Sequence, residues 1–108
     1  MDSIKVASIY CFLELDSINE KRNQMLDLCS SLNIKGLIIL SREGINGTIA
    51  GEENRVDLFV QQVRNIITYA DLNLKENLAK RNPFGRMKVK IKKEIVTLGI
   101  AGLSENDN

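Results

Sequence analysis

Hydrophobic residues in this 108-residue chain recur with a period that switches between two and three-to-four, in an order few folds accept. Ala7, Ile9, Cys11 and Leu13 alternate with Val6, Ser8, Tyr10 and Phe12, the pattern of a strand whose two sides are both largely apolar. Ile18, Met25, Cys29 and Leu32 then fall at helical spacing, on one stripe. Leu37, Ile38, Ile39 and Leu40 form a short unbroken run, as expected of a strand covered on both faces. Thr48, Ile49 and Ala50 return from it, so the two segments read as a hairpin. Val56, Phe59, Val60, Val63, Ile66 and Ile67 give the clearest amphipathic helix of the chain. Residues 72–78 and 87–92 alternate again, and residues 94–98 (EIVTL) read as a further extended piece. The order β-α-β-β-α-β predicts an α+β domain of ferredoxin-like, split βαβ topology, with two helices on one face of an antiparallel sheet and the other face open.

Local signals punctuate these segments. Ser17 followed by Glu20 has the form of a capping box at the first helix, and Asn33 is a suitable stop because it tolerates the left-handed conformation. Residues 41–47 (SREGING) read as a turn in which Gly44 and Gly47 are free to take positive φ. Glu52 and Glu53 complement the positive end of the second helix. Asn82-Pro83 opens a loop.

The length bounds the chain to one compact domain, and 44% hydrophobic with 27% charged residues is ordinary for a globular protein. No apolar run approaches the ~18 residues of a membrane helix. MDSIKVAS lacks the basic, apolar, small-residue order of a secretion signal, so the expectation is a cytoplasmic domain without a membrane partner. There is no histidine, which excludes Ser–His and Cys–His nucleophile pairs and imidazole metal sites. Cys11 and Cys29 form no C-x-x-C pattern and sit in apolar patterns, which reads as two reduced buried thiols. No metal, cofactor or catalytic residue is assigned.

Charge is balanced overall, at +1, but residues 80–93 hold Lys80, Arg81, Arg86, Lys88, Lys90, Lys92 and Lys93 and no acid. Such a local excess attracts phosphates, and the alternation puts Lys88, Lys90 and Lys92 on one side of a strand. Lysines there equally protect a sheet edge from aggregation. Arg81, Arg86, Lys88, Lys90, Lys92 and Lys93 are the candidate RNA-binding set. Tyr10 and Phe12 have the placement of the base-stacking aromatics of RNA recognition motifs, but residues 47–51 (GTIAG) supply no aromatic. Val6, Tyr10 and Phe12 are therefore read as an apolar interface or core. Arg42, Glu43, Gly44, Asn46 and Gly47 form either a small polar site or a plain turn; the Walker pattern is missing.

Two stretches carry a resemblance. Residues 43–51, EGINGTIAG, resemble the signature of the tRNA uridine hydroxylases, and residues 83–99, PFGRMKVKIKKEIVTLG, resemble that family's second block. Members of the family use oxygen to form 5-hydroxyuridine at the wobble position of tRNA and contain a rhodanese-like domain. The resemblance implies that residues 1–100 are the N-terminal, acylphosphatase-like domain and that residues 101–108 are a tail or the start of a linker to the rhodanese-like domain. It implies a tRNA partner, at the anticodon region, through the longer enzyme, and catalysis outside this segment, since neither cysteine matches a rhodanese loop. Substrate binding and positioning is the implied role, with interdomain docking or dimerisation as the alternative.

Overall fold

A computed structural model describes residues 3–67 and 71–93. The elements run β1 (Ile4–Phe12), α1 (Ile18–Leu32), β2 (Lys35–Ser41), β3 (Gly44–Glu52), α2 (Glu53–Ile67), β4 (Asn73–Ala79) and β5 (Met87–Ile91). The sheet order is β4-β1-β3-β2-β5. Neighbouring strands among β4, β1, β3 and β2 run antiparallel, which is the expected ferredoxin-like arrangement. β5 departs from the expected antiparallel sheet: it lies parallel to β2, so the sheet is mixed. The reason is geometric. The segment 80–86 crosses the end of the sheet from one edge to the other and enters the second edge at the end where β2 also begins, with Gly36 N–H donating to Arg86 O at 2.9 Å. Residues 94–98, expected to be extended, lie outside the described residues.

Both helices pack on one face. Ala7, Ile9 and Cys11 of β1, Ile45 and Ile49 of β3, and Ile38 and Leu40 of β2 point to them and are buried. Met25 and Cys29 of α1 and Val56, Phe59, Val60, Val63 and Ile67 of α2 close the core, with Val89 of β5 at its margin. Burial of this continuous apolar layer is what stabilises the domain.

The start of α1 differs from the expected capping box. Ser17 is left-handed (φ 49°, ψ 44°) and its hydroxyl makes no cap bond, because a capping side chain needs an extended backbone to aim at the first free amides. Ser17 O still accepts the first bond of the helix, from Lys21 N–H at 3.0 Å, and the Lys21 ammonium ties the turn by donating to Asp16 O at 2.8 Å. The other end is as expected, with Asn33 left-handed (φ 56°) and its N–H directed at the carbonyls of Cys29 and Ser30.

Candidate nucleic-acid interface

Strand alternation and register decide which residues share the face that, among the described residues, carries no helix. In β1 the even-numbered residues Val6, Ser8, Tyr10 and Phe12 point away from the helices. Their β3 neighbours are Ala50, Thr48, Asn46 and Gly44. Thr48 and Asn46 lie beside Leu37 and Ile39 of β2, and these beside Lys88 and Lys90 of β5. Reading across the sheet, aromatic rings, amide and hydroxyl groups, branched aliphatics and ammonium groups thus occupy one surface. The lysine row and the aromatic pair, two separate candidates in the sequence, belong to the same face.

Tyr10 and Phe12 pack edge to face, with ring centroids 5.2 Å apart and planes at 67°. Phe12 is 57% exposed, so one side of its ring is open. Ser8 Oγ and Thr48 Oγ1 lie 3.1 Å apart between the strands.

Lys88, Lys90, Lys92 and Lys93 are all exposed, as are Arg81 and Arg86 in the crossing segment. Among the described residues none of the six has a carboxylate within ion-pair distance. Lys5 is the contrast: it meets Asp57 at 2.8 Å, Glu76 at 3.3 Å and Glu53 at 3.9 Å. The hydrogen bond to Asp57, above all, raises the Lys5 pKa; burial opposes this, and Glu76 adds to it.

The cationic strand is fixed in place. Arg22 of α1 donates through Nε to Val89 O at 2.7 Å, and Lys92 N–H continues the ladder to Leu40 O at 2.9 Å. In the crossing segment, Asn82 Nδ2 donates to Ala50 O at 3.0 Å while its Oδ1 accepts from Phe84 N–H at 2.9 Å.

The motif loop splits. Arg42 and Glu43 alone make the β2–β3 turn. Their carbonyls accept from Leu15 and Leu13 N–H at 3.0 Å each, so the turn anchors the segment leaving β1, while buried Ser41 Oγ accepts from Glu43 N–H at 2.9 Å. Gly44 has φ 146°, as expected of it. Gly47 does not take positive φ; it lies inside β3. Its glycine identity comes from a close approach, since a Cβ there would stand 2.5 Å from Leu37 O. Asn46 is on the open face rather than in a loop. Sequence reasoning did not place Leu37 and Ile39 on this face, because an unbroken apolar run hides its own alternation.

The β1–α1 segment, where an anion cradle would be sought, presents Glu14 and Asp16, and the first arginine after β1 is Arg22, already bonded to Val89 O. Among the described residues no group of three or more Cys, Asp or Glu is placed to hold a metal ion, and no helix is long and apolar enough to cross a membrane.

Residues 4–95 match a family described as the UPF0176 acylphosphatase-like domain. The chain belongs to that family. Relatives of this UPF0176-type domain include a tRNA uridine(34) hydroxylase of Caulobacter vibrioides, 44% identical over 99% of this chain and 34% of the relative. Another, of Bartonella quintana, is 40% identical over 94% of this chain and 34% of the relative. The chain therefore spans about a third of the length of the curated relatives it matches. Among solved structures, an acylphosphatase from Coxiella burnetii is similar in fold, with a TM-score of 0.55 at 10% identity, covering 84% of this chain and 93% of that one.

Proposed function

We propose that this UPF0176-type domain binds and positions RNA for a larger enzyme of the tRNA uridine(34) hydroxylase kind, acting in tRNA modification in the cytoplasm. Arg81, Arg86, Lys88, Lys90, Lys92 and Lys93 contact the RNA backbone. Residues 1–100 form the binding domain, residues 101–108 lead toward a rhodanese-like domain, and the hydroxylation chemistry resides there, so the domain by itself does not hydroxylate uridine. The observation that carries the reading is the row of cations along β5 and its approach, exposed and without carboxylate partners among the described residues, on an edge held by the Arg22–Val89 bond. A phosphate backbone is the complement of such a row, because releasing condensed counterions drives the association. The resemblance of residues 43–51 and 83–99 to the hydroxylase signatures, and the names of the relatives, supply the RNA as tRNA.

The test is a titration of the 108-residue chain with unmodified tRNA at several salt concentrations. Binding whose logarithm falls linearly with the logarithm of salt is the expected result. No binding at low salt overturns the reading in favour of a docking module.

A further inference from the structure

The edge lysines account for a grip on phosphates, but they leave the rest of the open face unexplained. Three strand spacings of ~4.8 Å separate β5 from β1, so the aromatic pair lies roughly 14 Å from the lysine row across the sheet. Between them lie the Ser8–Thr48 hydroxyl pair, Asn46, and the aliphatic side chains of Leu37 and Ile39. Lys88 and Lys90, two residues apart on one strand, stand about 7 Å from each other, in line with the strand axis.

A double helix would meet only the lysines, because its bases are stacked inside and cannot reach rings 14 Å away. A protein surface docked here would have to bury Lys88 and Lys90 beside Leu37 and Ile39, and lysine is depleted at the centre of protein interfaces. An unpaired strand satisfies both sides at once: its backbone follows cations, its bases stack on exposed aromatic faces, and their edges find amide and hydroxyl groups. Resting on the RNA reading above, we infer that the open sheet face is a platform for an unpaired RNA strand, with the backbone along Lys88 and Lys90 and the bases carried across the sheet onto Phe12 and Tyr10. This reassigns Tyr10 and Phe12 from an apolar interface to base contacts. The missing aromatic in residues 47–51 is answered by Phe12, which lies at the other end of the same strand pair, opposite Gly44 with its lack of a side chain, and is 57% exposed although Tyr10 packs on its ring.

The experiment compares a short RNA oligonucleotide, single-stranded or annealed to its complement, for binding to the 108-residue chain and to its Phe12→Ala and Phe12→Trp variants. Phe12 is more than half exposed and outside the core, so both variants should keep the fold, checked by their thermal transitions. The single strand should bind more tightly than the duplex. Phe12→Ala should weaken the single strand roughly tenfold, the loss of one stacked base, while the salt slope stays as it was. Phe12→Trp should restore the affinity, and because the chain has no tryptophan its emission reports on that position alone, quenching with the single strand and not with the duplex. Equal binding of both RNAs, or an unchanged affinity for Phe12→Ala, overturns the platform while leaving the phosphate grip standing. No binding of either RNA at low salt overturns both.

Discussion

Cys29 shows how one residue's environment decides its chemistry. It is fully buried between α1 and the sheet, and burial pushes its thiol pKa up to about 12. Cys11 is also buried and raised, by burial first and then by the nearby charge of Asp71. Thiolate is the reactive form, so neither should react at neutral pH. Native protein at pH 8 is expected to resist alkylation at both positions and to take up two equivalents of reagent once denatured, as counted by mass spectrometry. Lys5 is the opposite case. Its pKa is raised above the usual 10.5 by Asp57 and Glu76, so its favourable interaction is fully present below pH 10.5 and is lost as pH climbs through the raised value. Thermal unfolding of the protein and of Lys5→Met should therefore differ by a constant margin from pH 7 to 10, and the margin should shrink above that. The inward position of both cysteines was legible in the sequence, since each sits in an apolar pattern. The Ser17 conformation was not, because a capping motif specifies a hydrogen bond only if the backbone is extended, and here the chain leaving β1 is held by Arg42 and Glu43.

Among the elements, the β2–β3 hairpin carries the tightest constraints. Its two-residue turn needs a positive φ at Gly44, and its pairing brings Gly47 against the backbone at Leu37 and Ile38. Gly47→Ala should cost about 1–3 kcal/mol through overpacking, seen as a lower urea midpoint at unchanged slope. That outcome would set the glycine apart from a ligand-contacting role, since the loss is in stability and not in binding. The existence of this hairpin was readable from two apolar runs flanking Gly and Asn. Its extent was not: the motif residues from Gly44 onward are strand, because backbone pairing with both β1 and β2 outcompetes the turn preference of Asn46 and Gly47.

At the scale of the whole molecule, cations concentrate toward the β5 edge, whereas on the β4 side Lys5 and Lys75 are accompanied by acids. Glu53, Asp57 and Glu76 surround Lys5 toward the β4 side, and the cations of residues 80–93 run to the β5 side. Charge of one sign on one edge attracts a polyanion although the chain's net charge is only +1. Replacing Lys88 and Lys90 together by glutamine should weaken RNA binding similarly for all sequences and lower the salt slope by roughly 0.7 per lysine removed. Titrations of the double variant and the unaltered chain over the same salt range check this, and neither lysine contributes to the core, so the melting temperature should be unchanged within error.

The amino-acid sequence by itself determined the element order, the inward stripes of both helices, the burial of Cys11 and Cys29, and the alternation that exposes Lys88 and Lys90. All of these follow from local periodicity, which each segment carries alone. Only the tertiary structure decided that β5 runs parallel to β2 and that Phe12, Asn46, Leu37 and Lys88 lie on one surface. Those facts depend on register between segments as far as 76 residues apart along the chain, from Phe12 to Lys88. Register is set by backbone pairing across strands and by the packing of the helices on one side, and no single segment encodes it.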